Sequence, residues 1–118
     1  MASLEYSTAT KSIVIAATAT GADATVVYTC PANHAATIEL LHIANNNDSS
    51  KKVYVQFYHV EDTTYHYILK NYALAANSAK NVLNNLHLQA GDQIVMYGQT
   101  ANTIESVVSA RQFFNPLR

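Results

Sequence analysis

The sequence predicts an all-β protein: a single-domain β-sandwich, jelly-roll-like, with about eight strands. Three observations predict it. Short runs rich in Val, Ile, Thr and Tyr recur along the chain, and such residues suit a pleated, half-buried surface. Clusters of Asn, Asp, Gly and Ser separate these runs at regular intervals and supply turn chemistry. The 118 residues are enough for one hydrophobic core and too few for two.

Taken in order, residues 1–11 are small and polar and read as an N-terminal arm, residues 12–114 as the sandwich, and residues 115–118 as a C-terminal tail. Residues 12–18 (SIVIAAT) open the first strand, and TGADA at 20–24 is a turn in which Gly21 can take a positive φ. Residues 25–30 (TVVYTC) form a strand that Pro31 stops. Residues 35–45 fit either a helix or a strand, and the strand needs a bulge near Leu40 to reconcile Ile38 with Leu41 and Ile43. NNNDSSK at 45–51 is a loop; its Asn47-Asp48-Ser49 triplet matches a glycosylation pattern without a secretory signal to accompany it. Residues 73–80 connect to a two-faced segment at 81–88. Strands follow at 93–97 and 103–114, set off by turns at QAGD and GQTAN. Ala-Asn pairs at 32–33, 44–45, 76–77 and 101–102 mark strand borders, where Asn closes turns.

The strongest local signal is a hairpin: KVYVQFYHV at 52–60 and YHYILKNY at 65–72, joined by a turn over 61–64. That turn sets Val60 opposite Tyr65, His59 opposite His66, Tyr58 opposite Tyr67 and Phe57 opposite Ile68. One face then carries Val53, Val55, Phe57 and Ile68 toward a core. The other carries Tyr54, Tyr58, Tyr65 and Tyr67, large apolar bodies with polar tips, and is the candidate partner-binding face.

Charged residues make up only 13% of the chain, and uncharged polar groups take their place. Such groups are cheaper to desolvate than charges, which suits a surface used in contacts. Net charge is −1, with no basic stripe for nucleic acid and no apolar run that spans a bilayer. Cys30 is the sole cysteine, so no intrachain disulfide forms, and it reads as a small buried filler. His59 and His66 as cross-strand neighbours could share a Zn ion only if His42, His87, Glu39 or Glu61 joined them. The ligand spacings of known zinc motifs are absent, so no metal or cofactor is assigned. Glu61 and Asp62 are adjacent turn residues that point apart, which argues against paired acid–base work. With no phosphate loop and no nucleophile pair, no catalytic residue is assigned and the chain reads as a non-enzyme.

VYTCPANH at 27–34, the LQAGDQI turn and strand at 88–94, and the Val- and Ser-rich strand at 104–110 together give a pattern that resembles small β-sandwich virion structural proteins of tailed bacteriophages. The resemblance covers residues 25 to 112 or so and favours strand for both ambiguous stretches. It implies a capsid decoration (cement) protein that stabilises the head through protein–protein contacts. A neck, tail, baseplate or fibre adaptor is the alternative within the same class. It further implies partners among major capsid or tail and neck subunits, a homo-oligomer with a trimer preferred, and a place in a virion assembled in the host cytoplasm. The cysteine before the proline and the load of tyrosine and histidine depart from the family's pattern. Outside the class, a jelly-roll carbohydrate-binding module would use the tyrosine face to stack sugar rings, although the chain has no tryptophan.

Overall fold

A computed structural model describes residues 6–114. These form nine strands and one short 3-10 turn: β1 (Tyr6–Ile15), the 3-10 turn (Gly21–Asp23), β2 (Thr25–Thr29), β3 (His34–Asn45), β4 (Lys51–His59), β5 (Thr64–Leu74), β6 (Ala79–Leu83), β7 (Leu86–Leu88), β8 (Gln93–Gly98) and β9 (Ile104–Phe114). One sheet has the order β1-β9-β3-β6, with β7 also on β3; the other has the order β2-β8-β4-β5. All strand pairs are antiparallel. Apart from the β4–β5 hairpin and the collinear β6 and β7, the chain changes sheet at each connection, which is jelly-roll topology. The all-β sandwich is as expected. The ninth strand arises because 81–88 is one strand interrupted at Asn84 and Asn85, the latter at φ 60°.

The core lies between the sheets. Ile38, Leu41, Ile43, Val53, Val55, Ile94, Met96, Ile104 and Val108 are fully buried there. The stretch with two readings is β3, and the bulge is real: its register against β9 shifts between Ile38 and Leu40. The extra residue turns Ile38 inward before the shift and Leu41 and Ile43 inward after it. Three asparagines of the Ala-Asn pairs, Asn33, Asn77 and Asn102, hold the left-handed backbone their turns require. Asn45 is instead buried, donating from Nδ2 to the carbonyls of Ser49 and Leu74.

Two expectations are corrected. The first strand starts at Tyr6, not at Ser12, so residues 6–11 of the expected arm are sheet; they have no periodic signal because Ala9 alone among them is half-buried and the rest are exposed. Residues 1–5 and the tail at 115–118 lie outside the described residues. The hairpin register also differs by two residues at the turn: Tyr58 pairs with Tyr65, His59 with Thr64 and Phe57 with His66. The loop spans residues 60–63 because the Val60 N–H donates to the Asp92 side chain (2.9 Å) and leaves the ladder. Thr63 stands at φ 52°, and Asp62 accepts from the Thr64 N–H at 3.0 Å. A two-residue slip at the turn keeps the residues from Gln56 to His59 and from Thr64 to Tyr67 on their own faces, so the tyrosine face survives and the His59–His66 pair does not.

Candidate protein-interaction surfaces

The four tyrosines singled out from the sequence share the outer face of the β2-β8-β4-β5 sheet, in two groups. Tyr58 and Tyr65 are tilted against each other, with centroids 4.7 Å apart. Tyr54 and Tyr67 are 6.4 Å apart and meet through Tyr97 of β8, which sequence reasoning missed. Tyr54 lies flat on Tyr97, and the Tyr67 and Tyr97 hydroxyls are 2.6 Å apart. Burial first, and then this hydrogen bond, push the Tyr97 hydroxyl up to about 12. The same bond lowers Tyr67, and in the neutral pair either hydroxyl can donate. Tyr97 could be found only by knowing which strand sits beside β4, a non-local fact.

The connection between β1 and β2 lies over this face as a strap. Gln56, buried between the two tyrosine groups, accepts at Oε1 from the Thr20 hydroxyl (3.0 Å) and the Gly21 N–H (3.1 Å). Gly21, at φ +67°, faces the Tyr65 ring. Ala17 and Ala24 close over Val95 and Tyr97 as a second small core. Of the four tyrosines, Tyr67 is the most open, at 42% exposure, with the Lys70 ammonium 5.0 Å from its ring centre.

The histidines are dispersed. His59 Nδ1 lies 3.5 Å from Asp92 Oδ1, and His66 Nε2 lies 3.2 Å from Asp62 Oδ2. Desolvation raises the Asp62 carboxyl, but the His66 and Thr64 hydrogen bonds, with the nearby histidine charges, together outweigh it and leave it below its ordinary range. His42 bonds Asn81, His87 bonds Thr37, and Glu39 pairs with Arg111 at 2.7 Å. Among the described residues no three His, Cys, Asp or Glu side chains are placed to share a metal ion. Cys30 is buried, and its thiol is pushed up to about 11 by burial first and by the Asp92 charge second. It therefore stays protonated and a poor nucleophile.

The most open element is β1. Only Ile15 is buried and Ala9 half-buried; the other residues from Tyr6 to Val14 are exposed. Ile13 and Val14 border a shallow depression with Ser106 and Val107 of β9. At the far end Tyr6 (57% exposed) packs on Phe113, while Phe114 (61% exposed) meets the His34 ring edge-on.

No protein-family model and no curated protein matches the sequence. Solved structures do match the fold. A T13 infectious bursal disease virus particle contains a chain that aligns with 96% of this one at 10% identity and TM-score 0.55. A subunit of the disulfide-linked pili that form Bacillus endospore appendages aligns with 97% of this chain at 14% identity and TM-score 0.55. A second infectious bursal disease virus structure, of the Gx strain, aligns with 93% at 10% identity and TM-score 0.50. This chain spans 32% of each viral chain and 92% of the pilus chain. At these identities the likeness is one of fold.

Proposed function

We propose that this chain is a non-enzymatic structural subunit of a bacteriophage particle, a capsid decoration protein that stabilises the head through contacts with major capsid subunits. The observation that carries the reading is β1. A ten-residue strand, held along one edge and with only Ile15 buried and Ala9 half-buried, displays Tyr6, Ile13 and Val14 to solvent. Exposed apolar side chains on an extended strand are a liability in a free monomer and an asset in an assembly that covers them. Fold likeness to a virus-particle chain and a pilus chain agrees with such a role. So does the low charge of the surface. The tyrosine face, with Tyr67 and Lys70 at its open end and Tyr54, Tyr58 and Tyr65 behind, is a second contact surface.

Immunogold labelling of particles released from the producing cells tests this. Label over the heads is expected. Label confined to the neck or tail would move the chain to the adaptor reading, and particles without label would overturn the virion assignment. The sugar-binding alternative needs an open ring face, and Tyr54 gives one of its faces to Tyr97. A glycan array with signal lost in Tyr67→Ala would restore it.

A further inference from the structure

We infer that the edge of β1 left unpaired among the described residues pairs antiparallel with β1 of a second copy, about a two-fold axis through Thr10, so that Tyr6 of each copy stands opposite Val14 of the other. This rests on the structural-subunit reading and names the first partner within it: another copy of the same chain.

The argument starts from how sheet edges are protected. Natural edge strands are kept short, bulged, or broken by proline and charge, so that unpaired N–H and C=O groups do not recruit another chain. The other edges of this sandwich show those devices. β2 has five residues, a register shift between Val26 and Tyr28, and Pro31 soon after it. β6 has five residues and a shift of its own, and β7 has three. β5 is shifted twice against β4 and carries Lys70 beside Asn71, whose φ is 55°. β1 has none of them. It runs ten residues in unbroken register against β9, with neither proline nor glycine and with Lys11 as its one charge.

The side chains then select the partner and the register. Along β1, Tyr6, Thr8, Thr10, Ser12 and Val14 point to one face, and Ser7, Ala9, Lys11, Ile13 and Ile15 to the other. A two-fold perpendicular to the sheet keeps each face continuous only if residues of the same set stand opposite each other. Centring the axis on Lys11 fails, because it sets Lys11 against itself and like charges directly opposite destabilise a pair. Centring it on Thr10 sets Lys11 against Ala9. It also gives Tyr6 opposite Val14, an aromatic facing a β-branched side chain, and Thr8 opposite Ser12, two hydroxyls that can bond. Both are favourable cross-strand combinations. The exposed Tyr6 and Val14 thereby cover each other, and two sheets merge into one.

Sedimentation equilibrium of the full chain, with three variants, tests this. The wild type is expected to be a dimer. Thr8→Lys combined with Ser12→Lys places two like-charge pairs in the interface and should weaken dimerisation roughly 10- to 30-fold. Thr8→Lys combined with Ser12→Glu should restore it, which a general loss of fold would not allow. Thr10→Cys should give a disulfide-linked dimer under mild oxidation, since the buried Cys30 does not compete. A monomeric wild type, or a trimer indifferent to the lysine pair, would overturn the pairing. Labelled particles with a monomeric protein would sink the pairing and leave the structural role standing. A dimer with unlabelled particles would do the reverse.

Discussion

Tyr54 lies on Tyr97 with ring planes 3° apart and centroids separated by 4.4 Å, and Tyr97 in turn bonds the hydroxyl of Tyr67 at 2.6 Å. One ring therefore joins β4, β8 and β5 on the outside of the sandwich, where no second sheet could do so. Tyr54→Ala removes the stack and should cost about 1–3 kcal/mol, less than a fully buried aromatic because Tyr54 is only half-buried. Tyr97→Phe keeps the stack and loses the hydrogen bond, for about 1 kcal/mol. Urea denaturation of both variants checks the order.

Gln56 is the anchor of the strap. Its removal in Gln56→Ala leaves the Gly21 N–H and the Thr20 hydroxyl without their shared acceptor, at a cost of about 1–3 kcal/mol. The larger effect is local. Limited proteolysis should cut within residues 16–24 in this variant under conditions that leave the wild type whole, and no change in cleavage would refute the anchoring role.

Asp92 is 1% exposed and ties two turns together. It accepts from the Val60 N–H at Oδ1 and from the Gln89 N–H at Oδ2, each at 2.9 Å. Asp92→Ala orphans both donors and should destabilise the fold by about 2–4 kcal/mol, whereas Asp92→Asn, which keeps one acceptor, should lose about half of that. Thermal melts of the two variants give the comparison.

Stability should fall on the alkaline side. Burial, with the Cys30 charge second, pushes Tyr28 up to about 12 and burial pushes Cys30 up to about 11, from ordinary values of 10.0 and 9.0; Tyr97 also reaches about 12, but the lowered Tyr67 beside it acts with the opposite sign. A group raised in the folded state contributes stability that is complete below its unfolded value and is lost as pH rises through the folded one. The loss therefore begins near pH 9, where unfolded Cys30 ionises, and continues to about pH 12. In Cys30→Ala the onset should move to near pH 10, where unfolded tyrosine ionises. Denaturation midpoints at half-unit steps of pH read both.

What could be read from the sequence was what depends on neighbours along the chain. The bulge of β3 follows from Ile38 being out of step with Leu41 and Ile43, and the left-handed turns follow from Asn33, Asn77 and Asn102. The tyrosine face was legible because alternation survives a two-residue slip. The hairpin register was not, because a β-branched Val60 looks like strand until its N–H is claimed by Asp92, 32 residues away. Residues 6–11 were hidden for the opposite reason: β9 supplies their hydrogen bonds while only Ala9 among them is half-buried, so no hydrophobic period marks them. Tyr97, Gln56 and the strap needed the third dimension throughout.

The order in which the strands fill the two sheets sets when the molecule can exist during synthesis. β8 lies between β2 and β4, and β9 lies between β1 and β3, so the last two described strands in chain order are each interior to one sheet. Until they emerge, β1 and β2 have no ladder at all, and the nascent chain holds only the β4–β5 hairpin and the pairs that β3 makes with β6 and β7. Closure of both sheets therefore waits on β8 and β9, and a chain cut short before β9 cannot form the ladder that holds β1.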